Sequence, residues 1–263
     1  MEAEGKVEPL LQRLAGVSGM GPGQRRLVLI LPQLGDFDSL EYAQQLVPVL
    51  PRLEAAGIAL LAIGLGEAAG AQRFCAFTGF PADRLQVESE PWLHRALGLS
   101  PGLQAPGGPW PSLLLMCAGI ASPGTLAEVL RGYSGDRSAA QRLAAEDTVL
   151  VPPLPPIRGS LLALAGGEGF LRPFELALLR LGNMAEVLGR WRTYVPHDRH
   201  LTQRGGTFLL ETDDTLLYSH RDPGLLGYSA TMARPLSFLD PFLEPPVSPP
   251  TPTLSPSPRL ESP

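Results

Sequence analysis

Apolar positions along this chain follow two rhythms, and the alternation between them predicts the elements. Residues 7–14 carry apolar side chains at helical spacing, and a loop rich in Gly and Ser follows over residues 16–23. Arg26-Leu-Val-Leu-Ile-Leu31 is then a continuous apolar run, the pattern of a strand buried on both faces. Asp36-Phe-Asp-Ser-Leu-Glu41 opens a helix running to about Ala56, with Asp38 and Glu41 at capping-box spacing. Pro48 and Pro51 should kink or interrupt that helix, since proline removes a donor and clashes with the preceding turn. A second strand over 58–63, a helix over 68–77, a short strand over 85–87 and a helical piece over 91–97 complete a β-α-β-α-β-α order. That order calls for an α/β fold with a largely parallel stretch of sheet covered by helices.

Beyond residue 100 the strand rhythm stops. Helical spacing marks residues 125–130, 138–145 and 174–188, with Pro173 suited to the first turn of the last of these. Val151-Pro-Pro-Leu-Pro-Pro156 reads as an extended connector. Residues 205–211 and 215–219 flank Thr212-Asp-Asp214 and predict a β-hairpin. From residue 241 to 263 the chain is dense in Pro, Ser and Thr and lacks the apolar residues of a core, so a disordered tail is expected. The expected organisation is a helix and linker over 1–25, one domain over 26–240 with a helical insertion over about 100–203, and the tail.

Composition narrows the function classes. At 44% hydrophobic and 18% charged residues, the 263-residue chain has material for a sizeable core. A formal net charge of -5 provides no basic surplus for displacing counterions from phosphates, so no nucleic-acid partner is expected. No apolar run reaches the roughly 20 residues of a membrane helix, and the first residues lack the basic and apolar regions of a signal peptide. A cytoplasmic protein with no membrane partner is the expectation. Two cysteines, Cys75 and Cys117, exclude a disulfide framework and a cysteine-rich zinc site. Cys75 stands among aromatics in a helix and Cys117 in the apolar run Leu113-Leu-Leu-Met-Cys-Ala-Gly119, so both read as core packing.

Three segments resemble the AhpC/TSA peroxiredoxin-like family. They are Leu27-Val-Leu-Ile-Leu-Pro-Gln-Leu-Gly-Asp36 entering a helix; Phe74-Cys-Ala-Phe-Thr-Gly-Phe-Pro81 with Leu93-His-Arg-Ala-Leu-Gly98; and Arg204-Gly-Gly-Thr-Phe-Leu-Leu210 with Leu217-Tyr-Ser-His-Arg-Asp222. Together they cover roughly 26–99 and 204–229, and the enlarged middle is similar to that of cyanobacterial and plastid members. The resemblance implies a thioredoxin-like mixed sheet flanked by helices, with antioxidant or redox activity. It also implies a reactive cysteine in the loop after the first strand, often as Cys-x-x-Cys, where helix-terminal N–H groups and a nearby cation lower the thiol pKa. Matching the loops puts Asp36 at the first cysteine and Ser39 at the second, and Arg204 either resembles the arginine near that loop or is an exposed residue before the strand. A carboxylate has no sulfenic-acid step and a serine keeps a far higher pKa than a thiol, so the site reads as degenerate. The plainer role for Asp36, Asp38 and Ser39 is helix capping. A sharper one is that Asp36 imitates the charge of an oxidised cysteine.

Rival motifs are weaker. Gly64-Leu-Gly-Glu-Ala-Ala-Gly70, with Glu88 ending the next strand, approaches a dinucleotide fingerprint, but its third glycine is displaced by one. Glycines at a strand-to-helix turn need no ligand to explain them. His220-Arg-Asp222 stands without the other parts of a kinase, and His197-Asp-Arg-His200 offers two imidazoles without further metal ligands. No cofactor and no metal are therefore expected. Three readings remain: a non-peroxidatic binding or regulatory member contacting a protein partner through the Asp36 face or the middle helices, a thiol oxidoreductase using Cys75 or Cys117, and a nucleotide-binding protein using Gly64, Gly66 and Glu88.

Overall fold

A computed structural model describes residues 7–243. Its first helix, α1 (Glu8–Leu14), carries Pro9 in the opening turn, where the missing N–H has no intrahelical partner to lose. Strand β1 (Arg25–Gln33) follows, then α2 (Phe37–Leu46), a 3-10 turn over Val47–Val49, and α3 (Leu50–Ala55). The interruption falls where Pro48 and Pro51 predict it. Next come β2 (Ile58–Leu65), α4 (Ala68–Thr78), β3 (Leu85–Glu88) and α5 (Trp92–Ala96). The chain then leaves the sheet for an insertion made of α6 (Pro109–Cys117), α7 (Thr125–Ser134), the two-residue strands β4 (Thr148–Val149) and β5 (Ile157–Arg158), α8 (Glu175–Gly189) and α9 (Trp191–Tyr194). It returns as the hairpin β6 (Gly206–Leu210) and β7 (Leu216–Arg221), and the described residues end with α10 (Asp240–Leu243).

The main sheet has the order β3-β2-β1-β6-β7. β2 lies parallel to β1 and to β3, whereas β6 runs antiparallel to β1 and β7 antiparallel to β6, so the sheet is mixed. Between Leu27 and Leu31 central β1 is apolar on both sides because both faces are covered. Leu27, Leu29 and Leu31 face a core shared with Leu40 and Leu46 of α2 and Phe74 of α4. Val28 and Ile30 face the opposite core with Leu10, Leu14, Leu93, Leu97 and Phe208. Strict alternation is lost when neither face meets water.

Three local expectations change in the insertion. Residues 138–145 are irregular rather than helical, because their backbone donors are taken by carboxylates: Arg142 and Leu143 N–H donate to Glu175 Oε1 at 2.5 and 2.7 Å, and Ala144 N–H to Asp147 Oδ2 at 2.8 Å. Residues 151–156 turn instead of extending, with Leu154 N–H donating to Val151 O at 2.8 Å between β4 and β5. Pro173 precedes the helix cap, Phe174, whose φ of 66° starts α8 one residue later than expected. Of the expected tail, residues 241–243 are helical within α10, and the remainder lies outside the described residues.

Glycines set the closest approaches around β2. A Cβ on Gly64 would stand 2.7 Å from Leu34 Cδ2, and one on Gly66 would stand 3.2 Å from Leu34 Cδ1. A Cβ on Gly70 would meet Thr193 O at 2.6 Å, so a small residue lets α4 lie against α9. Gly64→Ala is expected to destabilise the fold by about 1–3 kcal/mol through overpacking against buried Leu34. The cost should shrink in a Leu34→Ala background. Urea unfolding of the four proteins in a double-mutant cycle measures both, and equal costs in the two backgrounds would uncouple the pair.

Candidate functional site

β1 ends at Gln33, and Leu34 and Gly35 turn the chain into α2. Gly35 is required there, since a Cβ would sit 2.5 Å from Val195 Cγ2. Asp36 is the helix cap, with extended φ and ψ of -72° and 130°, and its Oδ1 accepts from Asp38 N–H at 3.0 Å. The capping box expected from Asp38 and Glu41 is absent, because Asp38 already lies inside the helix and both carboxylates are committed to the interior. Asp38 Oδ2 accepts from Leu226 N–H at 2.7 Å, and Glu41 Oε2 accepts from Arg180 Nε at 2.7 Å. Ser39 does not cap either; its hydroxyl donates to Gln33 O at 3.1 Å and ties α2 back to β1.

Arg204, two residues before β6, is fully buried and directed at this loop. Its Nη2 pairs with Asp36 Oδ2, its Nη1 stands 3.4 Å from Asp38 Oδ2, and its Nε donates to Thr202 O at 3.0 Å. Asp222, just after β7, accepts from Gly205 N–H at 3.0 Å through Oδ2, while its buried Oδ1 has no hydrogen bond among the described residues and stands 3.8 Å from His220 Nε2. One guanidinium thus faces three carboxylates. Burial works against the charge on Arg204, but Asp36 and Asp38 outweigh it and hold the cation. Burial, then the negative neighbours Asp36 and Asp222, push Asp38 well above the usual carboxylate range. Burial, only partly opposed by Arg204, raises Asp222 to about 7.

Asp38, Ser39 and Asp222 also line a cavity of about 10 Å³ with Tyr42, Thr207 and Tyr228, room for one water molecule. The Tyr42 and Thr207 hydroxyls are 2.9 Å apart, and Tyr42 stacks on Tyr228 with ring centroids 4.7 Å apart. Burial pushes both phenols upward, so they remain neutral. Such a cluster can retain a proton and fix charge.

The other sequence candidates are scattered. Cys75 is half-buried against the α2–α4 core, and burial, then Asp83, push its thiol up. Cys117 is exposed at the end of α6, contrary to the core position expected for it, because α6 lies on the surface and turns Ser112 and Met116 inward. Burial and then Asp36 raise the Cys117 thiol against the pull of Arg204. Leu34 occupies the space beside Gly64 and Gly66, and Glu88 pairs with Arg13 at 2.8 Å, so the fingerprint residues serve packing and an ion pair. His220 Nε2 lies 2.8 Å from Gly227 O, and Gln33 donates to His197 O. His200 stands 3.4 Å from Glu90, and among the described residues no group of three or more His, Cys, Asp or Glu is arranged to hold a metal. Sequence reasoning placed Arg204 near the loop but missed Asp222 as its companion; the only signal was that Asp222 closes the third resemblance segment.

A mixed sheet with a β-α-β half, a returning hairpin and an arginine held against the loop after the first strand defines a thioredoxin-like α/β protein. The chain belongs to the AhpC/TSA antioxidant enzyme family, whose model matches residues 45–224. Neither the curated proteins nor the solved structures contain a match to it. No helix among the described residues is long and apolar enough to cross a membrane.

Arg204→Met is expected to destabilise the protein by about 3–5 kcal/mol, since it leaves buried carboxylates without their cation. Chemical denaturation at pH 7 checks this, and a loss below about 1 kcal/mol would show that the pair is not needed for stability. Asp222 gives a pH signature. Its folded pKa of about 7 lies above the ordinary aspartate value of 3.8, so the folded state binds the extra proton and stability falls as pH rises across that window. Buried His94, lowered to about 4, acts oppositely, adding stability as pH rises toward 6.5. The test is therefore a difference: Asp222→Asn should gain stability on wild type between pH 5 and pH 8 by about 1–3 kcal/mol. A constant difference across that range contradicts the assignment.

Proposed function

We propose that this protein is a non-peroxidatic member of the AhpC/TSA family that acts by binding a protein partner. The observation carrying this reading is the ion pair of Asp36 and Asp38 with buried Arg204. It sits where β1 passes into α2, the position at which the resemblance calls for a thiolate beside a cation. The family match begins at residue 45, beyond this loop, so the equivalence rests on position in the fold. A carboxylate in that place neutralises the arginine permanently and has no oxidation step to offer a peroxide.

A contact surface is provided by the insertion. Leu114 of α6 is 66% exposed and Leu130 of α7 is 67% exposed, and Leu126, Tyr133 and Phe174 are also exposed. Exposed apolar side chains gathered on neighbouring helices favour a protein contact over free solvent. A reducing cytoplasmic setting belongs to the same reading, in keeping with two free thiols.

A second reading, a relocated thiol site, rests on the exposure of Cys117 alone, since burial and then Asp36 push its thiol up and away from the reactive thiolate. Intact mass after one equivalent of hydrogen peroxide, with dimedone present to trap sulfenic acid, separates the two. No adduct is expected on a timescale that leaves free cysteine unmodified. Rapid labelling abolished by Cys117→Ser would replace the binding reading with the thiol one.

A further inference from the structure

A cleft of about 260 Å³ opens between the C-terminal end of α2, the residues after α7 and the segment leading to α10. Pro48 on its wall lies about twelve residues beyond Asp36, on the order of 18 Å along the helical path, so the cleft is separate from the Arg204 cluster. Its polar lining is dominated by arginine: Arg52, Arg131, Arg142 and Arg234, against the single carboxylate of Asp240 among the described residues. Its floor is apolar, with Leu171 and Leu176 buried and Met232 and Leu236 beside them.

The ion pairs around the cleft leave positive charge over. Among the described residues, five guanidiniums, the four of the lining and Arg180, face four carboxylates, Glu41, Glu128, Asp136 and Asp240. Arg131 is matched, pairing with Glu128 at 2.8 Å and Asp136 at 3.5 Å, and Arg234 pairs with Asp240 at 2.6 Å. Arg142 is poorly matched. It stands 3.9 Å from Glu41 Oε1, which already accepts from the Tyr228 hydroxyl at 3.1 Å, while Glu41 Oε2 is taken by Arg180. Arg142 donates no side-chain hydrogen bond among the described residues, although its side chain is only 18% exposed. Exposed Arg52 has no ion pair among them either. Guanidinium groups held at the mouth of an apolar cleft favour an anion that brings its own oxygen acceptors, through charge-assisted bonds.

We propose that this cleft binds a small organic anion, a phosphate- or carboxylate-bearing molecule whose head meets Arg52 and Arg142 and whose apolar body rests on Leu171, Leu176 and Met232. The volume suits a single ring carrying such a head, larger than the cavity of about 150 Å³ that accepts benzene. No chemistry is required of the site; it is a recognition site, independent of whether the Asp36 loop is peroxidatic.

Isothermal titration of the full chain with phenyl phosphate tests it, with phenol as the neutral control. Saturable one-to-one binding is expected, weakened by added salt and by about tenfold or more in Arg142→Gln or Arg52→Gln. Ala140→Trp, which fills the cleft from an exposed lining position and keeps every arginine, should abolish it. Circular dichroism confirms that each variant is folded. No binding at millimolar phenyl phosphate, an affinity unchanged in folded Arg142→Gln and Ala140→Trp, or phenol binding as tightly as phenyl phosphate would each overturn the proposal.

Discussion

A guanidinium removed from water must find negative partners, and Arg204 finds them in elements far apart in the chain. It joins the first turn of α2 through Asp36 and Asp38 to the segment entering β6. The same carboxylates extend the tie, because Asp38 also holds the Leu226 N–H and Asp222 the Gly205 N–H. The β1–α2 loop, the start of β6 and the exit from β7 are thereby fixed to one another. Water would serve each of these groups separately; burial obliges them to serve each other, and that obligation sets the geometry at this end of the sheet.

The arrangement has a chemical consequence. With more buried carboxylate than cation, the cluster keeps protons that free carboxylates would release, as the raised Asp38 and Asp222 show. Charge is therefore spent inside the fold. The surface features lie elsewhere, on the insertion, where apolar side chains of α6 and α7 are exposed and arginines gather around a cleft beside α2. Glu41 links the regions physically: it starts from α2, receives Arg180 of α8, and leaves Arg142 only a distant contact.

Local pattern was a good guide wherever one element's burial is decided by its neighbours in the chain. The apolar run of β1 announced a central strand, Pro48 and Pro51 announced the break after α2, and the hairpin appeared where turn residues separate two apolar stretches. In the insertion it was a partial guide: α7 and α8 stand where helical spacing put them, but other segments do not. Residues 138–145 have helical spacing, yet Glu175 and Asp147 capture their N–H groups. The run around Cys117 is as apolar as a core strand, yet the helix carrying it has only one inward face to bury.

Sequence by itself determined the α/β class, the strand order along the chain, the family resemblance and the loop in which chemistry should be sought. Only the tertiary structure decided that Arg204 is buried in ion pairs with Asp36 and Asp38, that Asp222 joins them, and that Cys117 reaches the surface. The reason is separation: Asp36 and Arg204 lie 168 residues apart. Periodicity reports which face of an element is apolar, within a turn or two. Which charges must share a buried space is settled only when the sheet and its helices close over them.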